Sequence, residues 1–380
     1  MVLEVPTHEC SFMPWITIKD EVRIGPVIYW PFDRNNNTKN LEPEVYKKLN
    51  EIFDCFLNHS MKPIESPTIC SFERYDNFSI VYPDQKEDSL KATEAFIFSA
   101  ISLKLRGAFF NSSLPPLSTE AFTGFSSRFN SGELNHASMF GYFHRIHAKG
   151  EKSYYKIPSS VQDLTTTKPS PWLCARFNEI FNVPEKSHIF HSLEWFKFAQ
   201  LRTAEISTFT QIVMMCTAFE TLLKSSGKKY RLARKLDKVC RTKHLKTTVK
   251  RGGYKNNVSK DFTYSMLGAW LWDFYDIRSK IVHNGIYDKL KLQYLSPSGR
   301  NEHHLFISYL VFLECVEQLI TSDQAIIEYL TKEGHSREKL EQELITSPEG
   351  FPEFKKTIIS QLSFDRICNE LGWIDVQKRS

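Results

Sequence analysis

The chain has no run of apolar residues that approaches the roughly eighteen a membrane-spanning helix needs. Its first residues, MVLEVPTHECSF, lack the basic start and the apolar core of a signal peptide. The eight cysteines are scattered and form no Cys-x-x-Cys pair, which is typical of reduced thiols rather than of a disulfide framework. These absences predict a cytoplasmic protein without a membrane segment.

Several catalytic signatures are missing as well. The sequence has no Walker loop, no Gly-x-Ser-x-Gly and no glycine-rich dinucleotide turn after a predicted strand. The histidine pairs His188/His191 and His144/His147 have a spacing that can ligate a metal, but no Cys pair or Asp cluster accompanies either. We expect packing or surface roles for these histidines, and neither a bound metal nor a cofactor.

The 380 residues, 41% of them hydrophobic and 24% charged, are enough for two domains with cores of their own. We predict an α+β protein in which a mixed α/β module is followed by an all-α helical bundle. The Thr-, Pro- and Ser-rich segment DLTTTKPSP (163–171) marks the boundary. The predicted domains are residues 1–165, 166–335 and a helical tail at 336–380.

Hydrophobic periodicity and turn residues indicate the elements. In the first module we expect strands at 16–18, at 22–30 with a break at Gly25-Pro26, at 78–82, at 140–147 and at 154–157, and helices at 41–56 and 87–105. In the bundle we expect helices at 193–224, interrupted near residue 206, around the motif described next, at 303–330 and at 354–371. The sequence contains no internal repeat.

The segment GAWLWDFYDIRSKIVHNG, residues 268–285, is the most informative part of the chain. Apolar residues at helical spacing predict an amphipathic helix: Met266, Leu267, Trp270, Leu271, Phe274, Ile277, Ile281 and Val282. Asn284-Gly285 is typical of a helix C-terminus, which places His283 in the last turn, where the helix dipole favours a protonated imidazole. Arg278 and His283 then flank one edge of the helix, and Arg can hold a phosphate while His moves a proton. A capping histidine and a surface arginine are the alternative.

A concentration of positive charge precedes this helix. From Gly227 to Lys255 there are twelve Lys or Arg and one acid, Asp237, so this segment carries +11 and the rest of the chain about −6. We expect RNA contacts from nine of these cations: Lys228, Lys229, Arg231, Arg234, Lys235, Lys238, Arg241, Lys250 and Arg251. A solvated helix followed by a loop is the alternative, and binding of duplex DNA is another.

Two segments resemble one known family. Tyr275 to Gly285, YDIRSKIVHNG, is similar to the signature of the HEPN superfamily, in particular of its ApeA-like branch, and Phe219-Glu-Thr-Leu-Leu resembles the (A/F)-E-x-L-L helix of that branch. The resemblance covers about residues 170–335. The commonest catalytic form of the motif has Asn, Asp or His after the arginine, whereas this chain has Ser279.

The resemblance implies a dimeric helical bundle that cleaves RNA without a metal, with Arg278 and His283 as catalytic residues. It also implies supporting roles for Glu220, Asp276, Ser279 and Asn284. An acid at Glu220 inside a bundle would hold the guanidinium of Arg278; alternatively it pairs on the surface with Lys224.

The family further implies a toxin or effector of abortive infection, released by a phage-derived or protein trigger that residues 1–165 would sense. The alternative function is a non-catalytic HEPN module that binds RNA or nucleotide within a larger complex. Ser279 slightly favours that alternative.

Overall fold

The coordinates are a computed structural model of the chain. The structure describes residues 8–72, 83–110, 118–129, 134–140, 144–147, 153–159, 161, 165–201, 206–225, 228–240, 249–255, 258–285, 292–321, 331, 334, 336–339 and 364–374. The chain divides into two compact units. The first is formed by 1–104, 115–183 and 200–206, and the second by 105–114, 184–199 and 207–380.

The first unit is a mixed α/β structure. Its elements, in chain order, are β1 (His8–Met13), β2 (Ile16–Ile18), β3 (Val22–Ile24), β4 (Val27–Pro31), α1 (Pro43–Phe53), β5 (Phe56–Leu57), β6 (Thr68–Phe72), α2 (Pro83–Phe110, to residue 104 in this unit), β7 (Gly124–Phe129), β8 (Leu134–Phe140), β9 (His144–His147), β10 (Ser153–Lys156), β11 (Thr165–Thr167) and α3 (Pro171–Ile180). The structure confirms the predicted strands at 16–18, at 22–30 with its break and near 154–157, and the helices near 41–56 and 87–105, although the first helix ends at Phe53 and Phe56 belongs to β5. The strand predicted at 140–147 corresponds to the end of β8 and to β9, and residues 141–143, like 78–82, lie outside the described residues. The strands β1, β6, β7 and β11 were not predicted.

An antiparallel sheet organises the first unit. Its strand order is β3-β4-β6-β1-β7-β8. In the two smaller sheets, β10 lies between β5 and β9, and β11 pairs with β2. On β1, Phe12 lies opposite Ile69 of β6 and Phe125 of β7. Its ring centroid is 5.0 Å from that of Phe53 and 5.1 Å from that of Phe56, both edge to face. These rings are almost completely buried and form the core beside the sheet.

The predicted break at Gly25-Pro26 is a clamped turn between β3 and β4. Gly25 has φ +56°, and a Cβ there would lie 2.6 Å from the ring of Phe181, so the position needs glycine for both reasons. Asn178 of α3 accepts a hydrogen bond from the Gly25 amide at 2.6 Å and donates one to the carbonyl of Arg23 at 2.8 Å. Since α3 packs against β3 in this way, the predicted boundary near residue 165 lies inside the first unit.

The second unit is mainly helical. Its further elements are α4 (Ser187–Ala199), α5 (Thr208–Leu222), α6 (Lys229–Val239), β12 (Val249–Lys255), β13 (Val258–Tyr264), α7 (Met266–Asn284), β14 (Gln293–Leu295), β15 (Asn301–His303), α8 (His304–Ile320) and α9 (Phe364–Glu370). The interruption between α4 and α5 confirms the predicted break near residue 206. Of the helices predicted at 303–330 and 354–371, the structure describes 304–320 and 364–370, and the remaining parts lie mostly outside the described residues.

Helix α8 lies at the centre of the second unit, and nearly all of its residues are buried. Phe312 stacks on Phe196 of α4 at 4.7 Å and meets Phe219 of α5 edge to face at 5.5 Å. The predicted α+β order, strands in the first part of the chain and a helical region after them, is confirmed, but the helical region is not all-α, because the antiparallel hairpins β12–β13 and β14–β15 belong to this unit. No helix in the described ranges is long and apolar enough to cross a bilayer.

Candidate functional site

Helix α7 carries the Arg–His motif. Ser265 caps its first turn by accepting a hydrogen bond from the Gly268 amide, and Gly285, with φ +68°, ends it in the left-handed conformation, as Asn284-Gly285 predicted. The buried stripe comprises Leu267, Trp270, Leu271, Phe274 and Ile277. The stripe does not continue to the end of the helix, since Ile281 is only half-buried and Val282 is 50% exposed.

The exposed end of α7 follows from its register against α6. Asp237, near the end of α6, accepts hydrogen bonds from the amide and hydroxyl of Ser265 at 3.1 and 2.5 Å. Lys229, at the start of α6, donates to Asp276 at 2.9 Å. The two helices are therefore antiparallel, and α6 begins level with Asp276. The last two turns of α7, with His283, extend about 10 Å beyond that level without cover from α6.

Arg278 lies in a cluster formed by α5 and α7. The hydroxyl of Tyr275 donates to Oε1 of Glu220 at 2.5 Å, and the guanidinium of Arg278 lies over the Tyr275 ring, 5.4 Å from its centroid. Arg278 is half-buried, and its Nε is buried without a hydrogen-bond partner among the described residues. Glu220 thus contacts Tyr275, which lies beside Arg278 on α7, whereas the sequence predicted a contact with Arg278 itself.

Burial keeps the phenol of Tyr275 and the thiol of Cys216, both near Arg278, in their neutral forms. Burial, together with the hydrogen bond to Glu220 and its charge, raises the pKa of Tyr275, so its hydroxyl remains a donor at neutral pH. Burial also raises the pKa of the Cys216 thiol on α5, although the charge of Arg278 acts in the opposite direction. Arg278 is therefore the cation of this cluster, held between a neutral thiol, a phenol and one carboxylate.

His283 is exposed in the last turn of α7. It is five positions after Arg278, a rise of about 7.5 Å and a rotation of about 140° past one turn, so the two side chains flank the helix edge. Ser279 is half-buried beside Arg278. Asn284 lies on the same turn as His283, and its side chain is outside the described part of the structure.

Asp276 is a structural residue that joins two helices. It accepts from Lys229 of α6 and from Lys280 one turn on, each at 2.9 Å. Burial raises the pKa of Asp276, but the hydrogen bonds from these two ammonium groups outweigh burial and lower it overall. Asp276 therefore remains ionised, and Lys229 is held between it and the ring of Trp272, 4.8 Å from the centroid.

Three of the nine cations predicted to bind RNA are occupied within the fold. Lys229 pairs with Asp276 as described. Lys235 donates to the carbonyls of Leu223 at 2.8 Å and of Lys224, and so caps the end of α5. Arg251 of β12 forms two parallel hydrogen bonds with Asp273 of α7, at 3.0 and 2.7 Å. These contacts join α6 to α7, α6 to the end of α5, and the hairpin to α7.

Five other predicted cations are exposed. Lys228, Arg231, Arg234 and Lys238 follow helical spacing along one face of α6, and Lys250 lies on β12. Arg231 donates to the Tyr230 hydroxyl at 3.2 Å, and Arg234 lies over the Phe262 ring, 5.5 Å from its centroid. The ninth, Arg241, lies outside the described residues.

The structure describes the side chains of one of the two histidine pairs that have metal-ligand spacing. Burial, aided by the charge of Lys224, lowers the pKa of His188 to about 4, whereas His191 is exposed on α4. The side chains of His144 and His147 are outside the described set. In the described ranges, no group of three or more His, Cys, Asp or Glu side chains is placed to hold a metal ion.

The sequence interpretation missed Tyr275 and the hairpin. Tyr275 lies within the motif, but the sequence assigns it no function. Its contact with Glu220, a residue of another helix, becomes visible only in the structure. Phe262 and Tyr264 of β13 are buried alternate residues, the period-2 signal of a strand. They pack with Ala233, Ala269 and Trp272 in a small core between α6, the hairpin and α7.

Comparison of the chain with protein-family models, with curated proteins and with solved structures found no match.

Proposed function

We propose that the second unit is a metal-independent endoribonuclease of the HEPN type. The observation that carries the proposal is the arrangement on α7: an exposed imidazole lies one turn beyond a guanidinium that Tyr275 and Glu220 hold at the helix edge. The resemblance of residues 275–285 to the HEPN motif supports the same assignment. Arg278 is only half-buried, so part of its side chain can reach a phosphate.

The chemistry requires only groups of the chain and the substrate. A neutral imidazole of His283 accepts the proton of a ribose 2′-hydroxyl, the 2′-oxygen attacks the adjacent phosphorus, and the bond to the 5′-oxygen breaks as a second, protonated imidazole gives that oxygen its proton. Arg278 holds the phosphate and offsets the charge that develops on it. The products are a 2′,3′-cyclic phosphate and a 5′-hydroxyl end, because the attacking oxygen belongs to the RNA.

A homodimer would supply the second imidazole. Each chain offers one His283, and a two-fold axis near the exposed end of α7 would bring two motifs to one phosphate. Mixing wild-type protein with an excess of His283→Ala protein tests this arrangement, because each mixed dimer has only one His283. A loss of cleavage beyond simple dilution of the wild type supports a shared site, and a loss in proportion to dilution together with a monomeric mass contradicts it.

Cleavage is tested with purified full-length protein and labelled RNA. Arg278→Ala and His283→Ala should each reduce the cleavage rate at least about 100-fold. His191→Ala is the matched control, since it removes an exposed helical histidine outside the motif. The expected ends are a cyclic phosphate and a 5′-hydroxyl, formed also in excess EDTA. A 5′-phosphate end, or full dependence on magnesium, contradicts the mechanism.

A non-catalytic RNA- or nucleotide-binding module is the second candidate. The exposed cations of α6 favour it, as does Ser279 at the position after the arginine. It predicts that His283→Ala leaves both RNA binding and the growth of expressing cells unchanged, whereas the nuclease loses cleavage and toxicity.

For the cellular role, we propose an RNA-cleaving effector of abortive infection in the cytoplasm. All eight cysteines are outside disulfides, which fits a reducing compartment. Induced expression followed by sequencing of RNA ends, with and without phage challenge, tests this role. Growth arrest with 5′-hydroxyl cuts in wild type but not in His283→Ala supports it. Intact RNA in both, even under challenge, contradicts it.

A further inference from the structure

The predicted RNA-binding cations separate into two sets. Lys229, Lys235 and Arg251 have their donors occupied by acids or by carbonyls of the fold. A second set, which we call the α6 cation face, consists of Lys228, Arg231, Arg234 and Lys238. Its members are exposed, and in the described part of the chain none forms an ion pair with an acid. The positive charge that a ligand meets is therefore concentrated on this face.

The three acids of α6 and α7 are engaged by other groups of the fold. Asp273 is paired with Arg251, and Asp276 with Lys229 and Lys280. Burial raises the pKa of Asp237, the one acid on α6, while hydrogen bonds from Ser265 and Gly268 act to lower it. The Asp237 carboxylate is directed into the junction with α7 rather than toward solvent. No acid on α6 therefore opposes a polyanion that lies along the face.

The α6 cation face leads toward the motif. Lys238 to Lys228 spans ten residues, or about 15 Å, and α6 begins level with Asp276, about 10 Å before His283 along α7. The line of cations and the exposed imidazole together cover about 25 Å. At 3.4 Å per phosphate in a stacked strand, this length corresponds to about seven nucleotides.

We propose that the α6 cation face binds the phosphate backbone of single-stranded RNA and guides it from Lys238 past Lys228 to His283. The proposal rests on the proposed ribonuclease function in its choice of RNA. A single line of cations follows one backbone, and internal attack needs the 2′-oxygen in line with the leaving 5′-oxygen. A nucleotide in an A-form duplex does not have that geometry, so the scissile nucleotide must be unpaired.

The test measures binding separately from cleavage. Full-length His283→Ala protein is titrated with a fluorescent twelve-nucleotide single-stranded RNA at several salt concentrations. Four phosphate contacts predict a slope of log affinity against log salt of about −3. Adding Arg231→Gln, Arg234→Gln and Lys238→Gln should reduce the slope to about −1 and weaken binding at least tenfold at physiological salt.

A matched variant controls for net charge. Lys19→Gln, Lys47→Gln and Lys62→Gln remove the same charge from exposed positions of the first unit, and binding should remain close to that of the parent. Single-stranded RNA should bind more tightly than duplex RNA, and its affinity should rise with length up to about seven nucleotides. Thermal melts verify that both triple variants are folded.

Three results would overturn the proposal: equal weakening by the two triple variants, duplex RNA binding as tightly as single-stranded RNA, or a polyglutamate peptide competing as well as RNA. The first result would exclude the α6 cation face as the binding surface, and the second would exclude a preference for single-stranded RNA. The third would indicate that the face binds an acidic protein. If the α6 variants weaken binding as predicted while the protein with His283 intact leaves RNA uncut, the binding proposal stands and the proposed nuclease function fails.

Discussion

The Tyr275 hydroxyl is the contact that links the guanidinium of Arg278 to helix α5. The ring lies under Arg278, and its hydroxyl donates to Glu220 at 2.5 Å, so the orientation of the ring depends on a residue of another helix. In the proposed reaction Tyr275 is a positioning residue, because it acts through Arg278 and does not itself meet the scissile bond. A guanidinium that is displaced by even 1 Å loses much of its effect on a transition state.

Replacing Tyr275 by Phe should keep the ring and remove the hydroxyl. We expect the kcat of RNA cleavage to fall about tenfold with KM nearly unchanged, since Arg278 loses orientation but not charge. Tyr309→Phe is the matched control: the Tyr309 hydroxyl is also buried and donates to the Ala199 carbonyl at 2.6 Å. Both substitutions should cost about 1 kcal/mol of unfolding free energy, and only the first should change kcat. Equal effects on kcat would argue against positioning.

Residue 268 is a glycine because the Asp237 carboxylate occupies the space that a Cβ would need. A Cβ at residue 268 would lie 2.5–2.7 Å from the Asp237 carboxylate, and that carboxylate is held in place by the amide and hydroxyl of Ser265. The carboxylate therefore cannot move away without breaking the junction between α6 and α7. The close approach of the two helices at this end requires a residue without a side chain.

Gly268→Ala should destabilise the protein by about 1–3 kcal/mol, the usual cost of overpacking. Gly107→Ala on α2 is the control, because nothing lies within 4 Å of a Cβ there. That change should stabilise by up to about 1 kcal/mol through helix propensity alone. Chemical denaturation of both variants measures the difference. A stabilised Gly268→Ala would show that Asp237 is not fixed.

At the scale of elements, the hairpin β12–β13 is attached to α7 by one ion pair and one small core. Arg251 donates two hydrogen bonds to Asp273, and burial acts against its charge, yet the bond to Asp273 raises the pKa of Arg251 overall. Phe262 stacks on Tyr230 of α6 at 5.3 Å and contacts Trp272 at 6.0 Å. The hairpin thereby braces the side of α7 next to the α6 cation face.

A double-mutant cycle measures the strength of this attachment. Arg251→Met and Asp273→Asn should each destabilise the protein by about 1 kcal/mol, with a coupling of about 0.5–1 kcal/mol because the pair is bidentate but partly exposed. Arg231→Met is the control, since Arg231 has no acid partner among the described residues, and it should change stability by less than about 0.5 kcal/mol. A coupling near zero would mean that the hairpin is held by Phe262 alone.

The elements differ in how well the sequence predicts them. The extent of α7 follows from its apolar stripe and from Asn284-Gly285, because local periodicity and a C-cap suffice to define a helix. The hairpin was missed because residues 249–255, VKRGGYK, carry charge and glycine where a strand usually alternates. Its stability comes from Asp273 and Trp272, residues of another element that no local pattern indicates. For the same reason, the motif was visible in the sequence while the contact between Glu220 and Tyr275 was not.

At the scale of the whole molecule, two buried groups of the second unit make stability depend on pH in opposite directions. His304 is 6% exposed and lies against the rings of Trp270, Phe274 and Tyr294. Burial, with a smaller effect of His303, lowers the pKa of His304 to about 4. Because the unfolded chain has the ordinary value of 6.5, the unfolded state binds the proton first as pH falls.

Glu314 behaves in the opposite way. It and Glu317 share the guanidinium of Arg106 at 3.3 and 2.7 Å, so two buried carboxylates meet one cation. Burial raises the pKa of Glu314 to about 7, the charges of Glu317 and of Asp365 on α9 add to the rise, and Arg106 and Gln318 oppose it. The folded state therefore binds a proton at Glu314 before the unfolded chain does, and this contribution is lost as pH rises from about 4.5 through 7.

These two contributions should largely cancel in the wild type between pH 4.5 and 6.5, and single variants should separate them. The His304→Phe variant should not lose stability at low pH through this group. The unfolding free energy of the wild type minus that of the variant should therefore rise by about 3 kcal/mol between pH 4 and 6.5. In Glu314→Gln the corresponding difference should fall as pH rises from 4.5 to 7. Urea unfolding at half-unit pH steps measures both curves, with the double variant as the control that should lack both slopes. A slope of zero for either variant would mean that the replaced group titrates alike in the folded and the unfolded chain, and slopes of the same sign would mean that one of the two pKa shifts has the opposite direction. The sign of each slope therefore shows whether the folded or the unfolded state binds the proton of that group more tightly.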